Sequence, residues 1–271
     1  MERALVNGIA LEYEDSGVGE AVVFIHGGLI ADTFRPLVAE PSLVLQHRLI
    51  TYRRRGYAGS TGRGRPLSVE GQASDCLALL RHLGLERAHV VGHSSGGCIA
   101  LQLALEAPSV VQSLALLEPA LIVGATAGSY RESIARGMKR YGEVGAAVVV
   151  DEFMQARWPG YRDALEQALP GASAQAAVDA ATAFEHELAG LLEWKFGEDE
   201  ARRISQPVLS VLGGESNALW PRFGEVHRLL LTWLPRAEGF ILPGTTHFLQ
   251  VEKPADTAEA LAAFYARQAV G

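Results

Sequence analysis

Short apolar runs, rich in β-branched residues and closed by glycine or polar turn residues, recur along this chain. They are Ala21–Ile25, Arg48–Tyr52, Ala88–Val91, Val110–Leu117, Pro207–Leu212 and Gly239–Leu242. Continuous runs of this length with these flanks predict strands buried on both faces. Leu5–Tyr13 follows a different pattern, with alternating segments on either side of Asn7-Gly8, and predicts a hairpin. Elsewhere the apolar residues fall at helical spacing. Cys76, Leu77, Leu79, Leu80 and Leu83 follow a serine N-cap at Ser68 and stop at Gly84, while Cys98 to Glu106 stop before Ala107-Pro108. Val226, Leu229, Leu230 and Trp233 mark another helix, and a last one runs from Pro254 to about Ala266. Strands alternating with helices predict an α/β fold: a mostly parallel, twisted sheet flanked by helices on both faces.

The alternation is interrupted once. Between Ala120 and Ile204 strand signals stop and alanine-rich helical segments take over, Tyr141–Ala156, Ala174–Ala189 and Leu191–Phe196. Helices inserted into an α/β alternation predict a helical cap (lid), residues 119–204, on a core made of residues 1–118 and 205–271.

Composition narrows the class without changing that picture. A chain of 271 residues accommodates one large α/β domain with an insertion. A 48% hydrophobic and 20% charged composition is that of a soluble globular protein, and a net charge of −7 argues against a nucleic-acid surface. Arg53-Arg54-Arg55 has no further basic cluster beside it, so solvated or loop-bracing roles are expected. The start, Met1 to Gly8, lacks a basic segment followed by an apolar one, and no apolar run approaches the ~20 residues that span a bilayer. Cys76 and Cys98 fall in predicted helices and read as core thiols of a reducing compartment. The expectation is a cytoplasmic protein with no membrane and no nucleic-acid partner. The oligomeric state stays open, a homodimer included.

The candidate chemistry centres on Gly92-His93-Ser94-Ser95-Gly96, set between a strand and a helix. A G-x-S-x-G in that context is the pattern of a nucleophile elbow, whose turn is too tight for side chains at the glycines and holds the serine out above the sheet. Two further stretches follow the ends of strands: His26-Gly27-Gly28 and Pro243-Gly244-Thr245-Thr246-His247.

In this order the three stretches resemble the α/β-hydrolase superfamily, from the first hairpin to the last helix; within 119–204 the resemblance is architectural. It implies an α/β-hydrolase fold with Ser94 as nucleophile, His247 as general base and an oxyanion hole from the N–H groups of Gly28 and Ser95. Elementary chemistry agrees. A serine hydroxyl needs a neighbouring imidazole, and N–H groups at a helix start stabilise a tetrahedral oxyanion. His26 and His93 read as turn braces. The remaining histidines have no ligand spacing, so neither a metal nor a cofactor is expected.

The acid is the open position. The family commonly carries an aspartate after the strand Pro207–Leu212, where this chain has Asn217, which holds no charge. Some members, zearalenone lactonases among them, take the acid from the end of the strand after the elbow helix, where Glu118-Pro119 stands. Glu118 is favoured over Glu215. A serine in place of an aspartate nucleophile argues against haloalkane dehalogenases and epoxide hydrolases. The reading is a serine esterase or lactonase acting on a small or medium carboxylic ester or lactone through an acyl-enzyme. The alternatives are a C–C bond hydrolase of the meta-cleavage type and a small-molecule receptor of low turnover. Trp158, Trp194, Trp220 and Phe248, with Met154 and Phe184, are the candidates to line the substrate pocket.

Overall fold

The computed structural model describes residues 1–64 and 67–268. Eight strands form one sheet: β1 (Glu2–Val6), β2 (Ile9–Gly17), β3 (Glu20–Ile25), β4 (His47–Tyr52), β5 (Ala88–His93), β6 (Val111–Leu117), β7 (Val208–Gly213) and β8 (Ala237–Leu242). Their order across the sheet is β1-β2-β4-β3-β5-β6-β7-β8. The first hairpin pairs Val6 with Ile9 across Asn7-Gly8, both at positive φ, and β2 lies antiparallel to β4. All later pairings are parallel.

Alternate residues of the central strands face opposite sides, so each strand supplies two cores. Val23, Ile25 and Val90 pack with Leu79, Leu101 and Leu230 from the helices Val69–His82, Ser95–Glu106 and Pro221–Trp233. Val22, Phe24 and Val91 pack with Leu261 and Phe264 of the helix Pro254–Gln268. Burial on both faces explains why these strands read as unbroken apolar runs. Cys76 and Cys98 are free, buried thiols whose pKa burial pushes up to about 12. Among the described residues no helix is long and apolar enough to cross a membrane.

The inserted helical region lies between β6 and β7. The helices inside it break at other places than the periodicity predicts. The single helix expected over Tyr141–Ala156 is two, Ala127–Val144 and Ala146–Arg157, because Gly145 takes φ 78° and turns the chain. The expected Ala174–Ala189 helix begins as Ala172–Ala181, loosens into a π-helical turn at Thr182–Glu187 and continues as Leu188–Glu193. Leu191–Phe196 is helical only to Glu193. The region has a small core of its own, where Met154, Leu165, Ala176 and Phe184 meet Leu29, Ile30 and Phe248 from loops at the top of the sheet.

Candidate active site

Parallel strands bring their carboxyl ends to one edge, and the chain changes direction across the sheet between β3 and β5. Such a switch point leaves a crevice between the loops that follow the two strands. Gly28 follows β3 and Ser94 follows β5.

Ser94 has φ 52° and ψ −122°, a strained conformation for a residue with a side chain. The surroundings enforce it. Ser94 N–H donates to the Leu117 carbonyl at 3.1 Å, and the Ser94 carbonyl accepts from Gly97 at 2.9 Å and Ala120 at 3.0 Å. A Cβ on Gly96 would collide with the carbonyl oxygens of Ile25 and His26, and one on Gly92 would lie 2.7 Å from the Gly97 Cα. The turn therefore has room for glycine alone on either side of the serine. Ser95 opens the helix Ser95–Glu106, so its N–H has no carbonyl one turn earlier to bond.

Glu118 leaves the end of β6 with φ 45°, a second strained residue beside the elbow. Its Oε2 lies 2.7 Å from Nδ1 of His247, and its Oε1 accepts from the Gly213 N–H at 2.7 Å. Glu118 is buried, and that desolvation pushes its carboxyl up to about 7 against the opposing hydrogen bond from Gly213. Burial, reinforced by the positive charges of Arg157 and Arg222, holds His247 well below the usual histidine range. The imidazole rests neutral, the form that accepts a proton.

The loop presenting His247 is fastened from several sides. Thr246 donates its N–H and hydroxyl to the Glu252 carboxylate at 3.0 and 2.7 Å. Phe223 stacks on the imidazole with 4.6 Å between ring centres. His93 and His26 hold turns. His93 Nε2 meets the His247 carbonyl at 2.8 Å, and His26 Nε2 accepts from the Arg54 N–H at 2.9 Å, which leaves its Nδ1–H for the Gly27 carbonyl at 2.7 Å. Asn217 and Glu215 are exposed, and neither is hydrogen-bonded to His247; Asn217 lies against Gly224.

Gly28, Ser94, Ser95 and His247 line one cavity, roofed by Phe153, Arg157, Ala183 and Phe184 of the inserted region. Trp158, Trp194, Trp220 and Phe248, expected there, do not line it. Phe248 packs on His93 and on Trp158. Trp194 donates its indole N–H to Gln102 at 2.8 Å, and Trp220 donates to the Ala156 carbonyl at 3.0 Å. A tryptophan needs a partner for its N–H and fills a large gap, so these indoles brace inserted helices against their neighbours.

Arg157, Arg222 and Glu187, all on the cavity wall, carry no signal in the sequence. No local motif marks them, because which arginines are buried depends on how the inserted helices dock. The π-helical turn, itself absent from the periodicity, places Glu187 against Arg54 at 3.0 Å, with Tyr57 donating its hydroxyl to the same carboxylate. Of the consecutive arginines, Arg53 pairs with Asp32 and Glu12, and Arg55 with Asp75. All of them brace the loop. Among the described residues no group of three or more His, Cys, Asp or Glu is disposed to hold a metal ion.

A model of the alpha/beta hydrolase family matches residues 22–260. The sn-1-specific diacylglycerol lipase ABHD11 of Mus musculus is 27% identical over 91% of this chain and 81% of its own length. A putative non-heme bromoperoxidase, BpoC of Mycobacterium tuberculosis, is 36% identical over 40% of this chain and 42% of its own, so the chain spans less than half of that relative. Among solved structures, a thermophilic esterase from Thermogutta terrifontis (malate bound) superposes with a TM-score of 0.84 at 19% identity over 99% of both chains. The enol-lactonase from Burkholderia xenovorans LB400 does so with a TM-score of 0.84 at 21% identity, over 98% of this chain and 100% of its own.

Proposed function

This chain belongs to the alpha/beta hydrolase family, and we propose that it hydrolyses a small or medium carboxylic ester or lactone. In this reading Ser94 is the nucleophile, His247 the general base and Glu118 the acid that orients His247. His247 Nε2 takes the Ser94 hydroxyl proton as Oγ attacks the carbonyl carbon. The resulting oxyanion accepts hydrogen bonds from the Gly28 and Ser95 N–H groups. Collapse expels the alcohol, which receives its proton from His247, and leaves an acyl-serine. A water deprotonated by His247 then attacks the acyl carbon, and the acid departs as Ser94 regains its proton. Residues 1–118 and 205–271 act as the hydrolytic core and 119–204 as the lid.

The observation that carries this reading is the 2.7 Å contact between Glu118 and His247, behind an imidazole that shares a cavity with Ser94. A buried carboxylate on a histidine has a defined task in acyl transfer: it selects the tautomer and stabilises the imidazolium that forms. The esterase and the enol-lactonase of the same fold support the same substrate class. Hydrolysis of p-nitrophenyl esters of graded acyl length, and of small lactones, tests it. Wild type turns over short acyl chains, Ser94→Ala loses at least about 10⁴-fold in kcat at an unchanged melting temperature, and Asn217→Ala keeps its rate. A wild-type protein that cleaves no ester and no lactone overturns the reading.

A further inference from the structure

The cavity around Ser94 carries two guanidinium groups that the hydrolytic steps leave unused. Arg157 ends the inserted helix Ala146–Arg157, and Arg222 lies in the first turn of Pro221–Trp233, a core helix; both line the cavity. They are 9% and 5% exposed, yet among the described residues neither has a carboxylate within 4.0 Å. Their neighbours are carbonyls and rings. Arg157 Nη1 donates to the Phe153 carbonyl at 3.0 Å, and its guanidinium lies 3.5 Å from the centre of the Phe153 ring. Arg222 Nη2 donates to the Leu121 carbonyl at 2.8 Å and lies 3.6 Å over Tyr130.

Arg54 makes the contrast. It too is buried, but it meets the Glu187 carboxylate, the Gln72 amide and the Gly27 carbonyl. A guanidinium has five N–H donors, and a buried one with no anion is costly to keep. Arg54 has its anion within the chain. Arg157 and Arg222 instead line the cavity that holds Ser94, one from the inserted region and one from the core.

We infer that Arg157 and Arg222 form a carboxylate subsite, and that the substrate is a monoanion: an ester or lactone bearing a free carboxylate held against these arginines while its scissile carbonyl lies over Ser94. The inference rests on the ester-hydrolase reading above and names its substrate class. Arginine suits the task because its planar donors match a carboxylate and its flat face stays stacked on the aromatic rings already beneath it.

The test compares two substrates of equal length, p-nitrophenyl hydrogen glutarate, an anion, and its neutral methyl ester. The quantity read is the ratio of kcat/KM, anion over neutral, in wild type, Arg157→Gln, Arg222→Gln and Arg222→Lys. Wild type favours the anion, and each glutamine variant lowers the ratio roughly tenfold to hundredfold, chiefly through KM. Lysine at 222 restores part of it. A purely structural role would slow both substrates in proportion; a ratio that stays constant, or a wild type that favours the neutral ester, overturns the subsite. Calorimetry on Ser94→Ala with monomethyl and dimethyl glutarate separates this inference from the hydrolase reading. Saturable binding of the monoanion alone, lost when Arg222→Gln is added, supports the subsite even if no ester is turned over. Failure to bind the monoanion overturns it while leaving ester hydrolysis to stand on its own assay.

Discussion

Two buried glutamates mark the difference between the sheet core and the helical insertion. Glu118, at the end of β6, faces a histidine; Glu187, in the π-helical turn, faces an arginine. Each is under 5% exposed. Arginine keeps its charge at any ordinary pH, so Glu187 has a permanent counterion and fastens the insertion to the loop after β4. Asp179 and Thr182 strengthen the same seam, through Arg63 at 2.7 Å and the Gly56 carbonyl at 2.8 Å. Glu118 has no permanent counterion within hydrogen-bond reach, and burial raises its pKa. The same side chain serves as a fastener where its partner is fixed, and in the proposed mechanism it orients and stabilises a partner that titrates.

Removing the two carboxylates breaks the comparison most directly. Glu118→Gln keeps the shape but removes the charge that stabilises imidazolium, and kcat is expected to fall by about 10³–10⁴. Wild-type kcat/KM rises with pH through an ionisation near 7 that belongs to the Glu118–His247 pair, and the variant loses that limb. Stability moves in the opposite sense. The folded pKa of Glu118 is raised from 4.5 to about 7, so folding favours its protonated form. That contribution is full below pH 4.5 and is lost as pH rises through 7. The melting temperature of wild type relative to Glu118→Gln should therefore decline between pH 5 and 8. A kcat within tenfold of wild type would remove Glu118 from the proposed triad.

Glu187→Gln should act on stability first. It leaves Arg54 buried without its anion, a change that costs about 3–5 kcal/mol in denaturant unfolding. Replacing both partners, Arg54→Met with Glu187→Leu, should recover most of the loss, because the desolvated cation goes as well. A loss below about 1 kcal/mol in the single variant would show that the seam depends on its other contacts.

The smallest effect separates bracing from substrate contact. Trp194→Phe removes one indole hydrogen bond to Gln102, so about 1 kcal/mol of stability should go while ester kcat/KM stays within about twofold. A selective loss for one acyl length would return Trp194 to the substrate path.

Much of the core was legible in the sequence because its constraints are local. A strand buried on both faces must be apolar throughout, a hairpin needs positive φ at its turn, and an elbow that tight needs glycine at Gly92 and Gly96. The insertion was legible as helical but not in its breaks. Alanine-rich periodicity continues through Gly145 and through the π-helical turn without marking either: the first break is a positive φ at one glycine, and the second answers to docking on the loop after β4.

What the sequence determined by itself was therefore the strand and helix alternation, the elbow at Ser94 and a histidine at the end of the last strand, all dictated by short stretches of backbone. The resemblance already favoured Glu118 as the carboxylate for His247, and the fold brings the two to 2.7 Å; only the tertiary structure decided which aromatic rings line the cavity and which arginines are left facing it. Glu118 and His247 are 129 residues apart, and Arg54 and Glu187 are 133. Pairings at that separation depend on strand order and on how the inserted helices seat, and neither is written in any local run of residues.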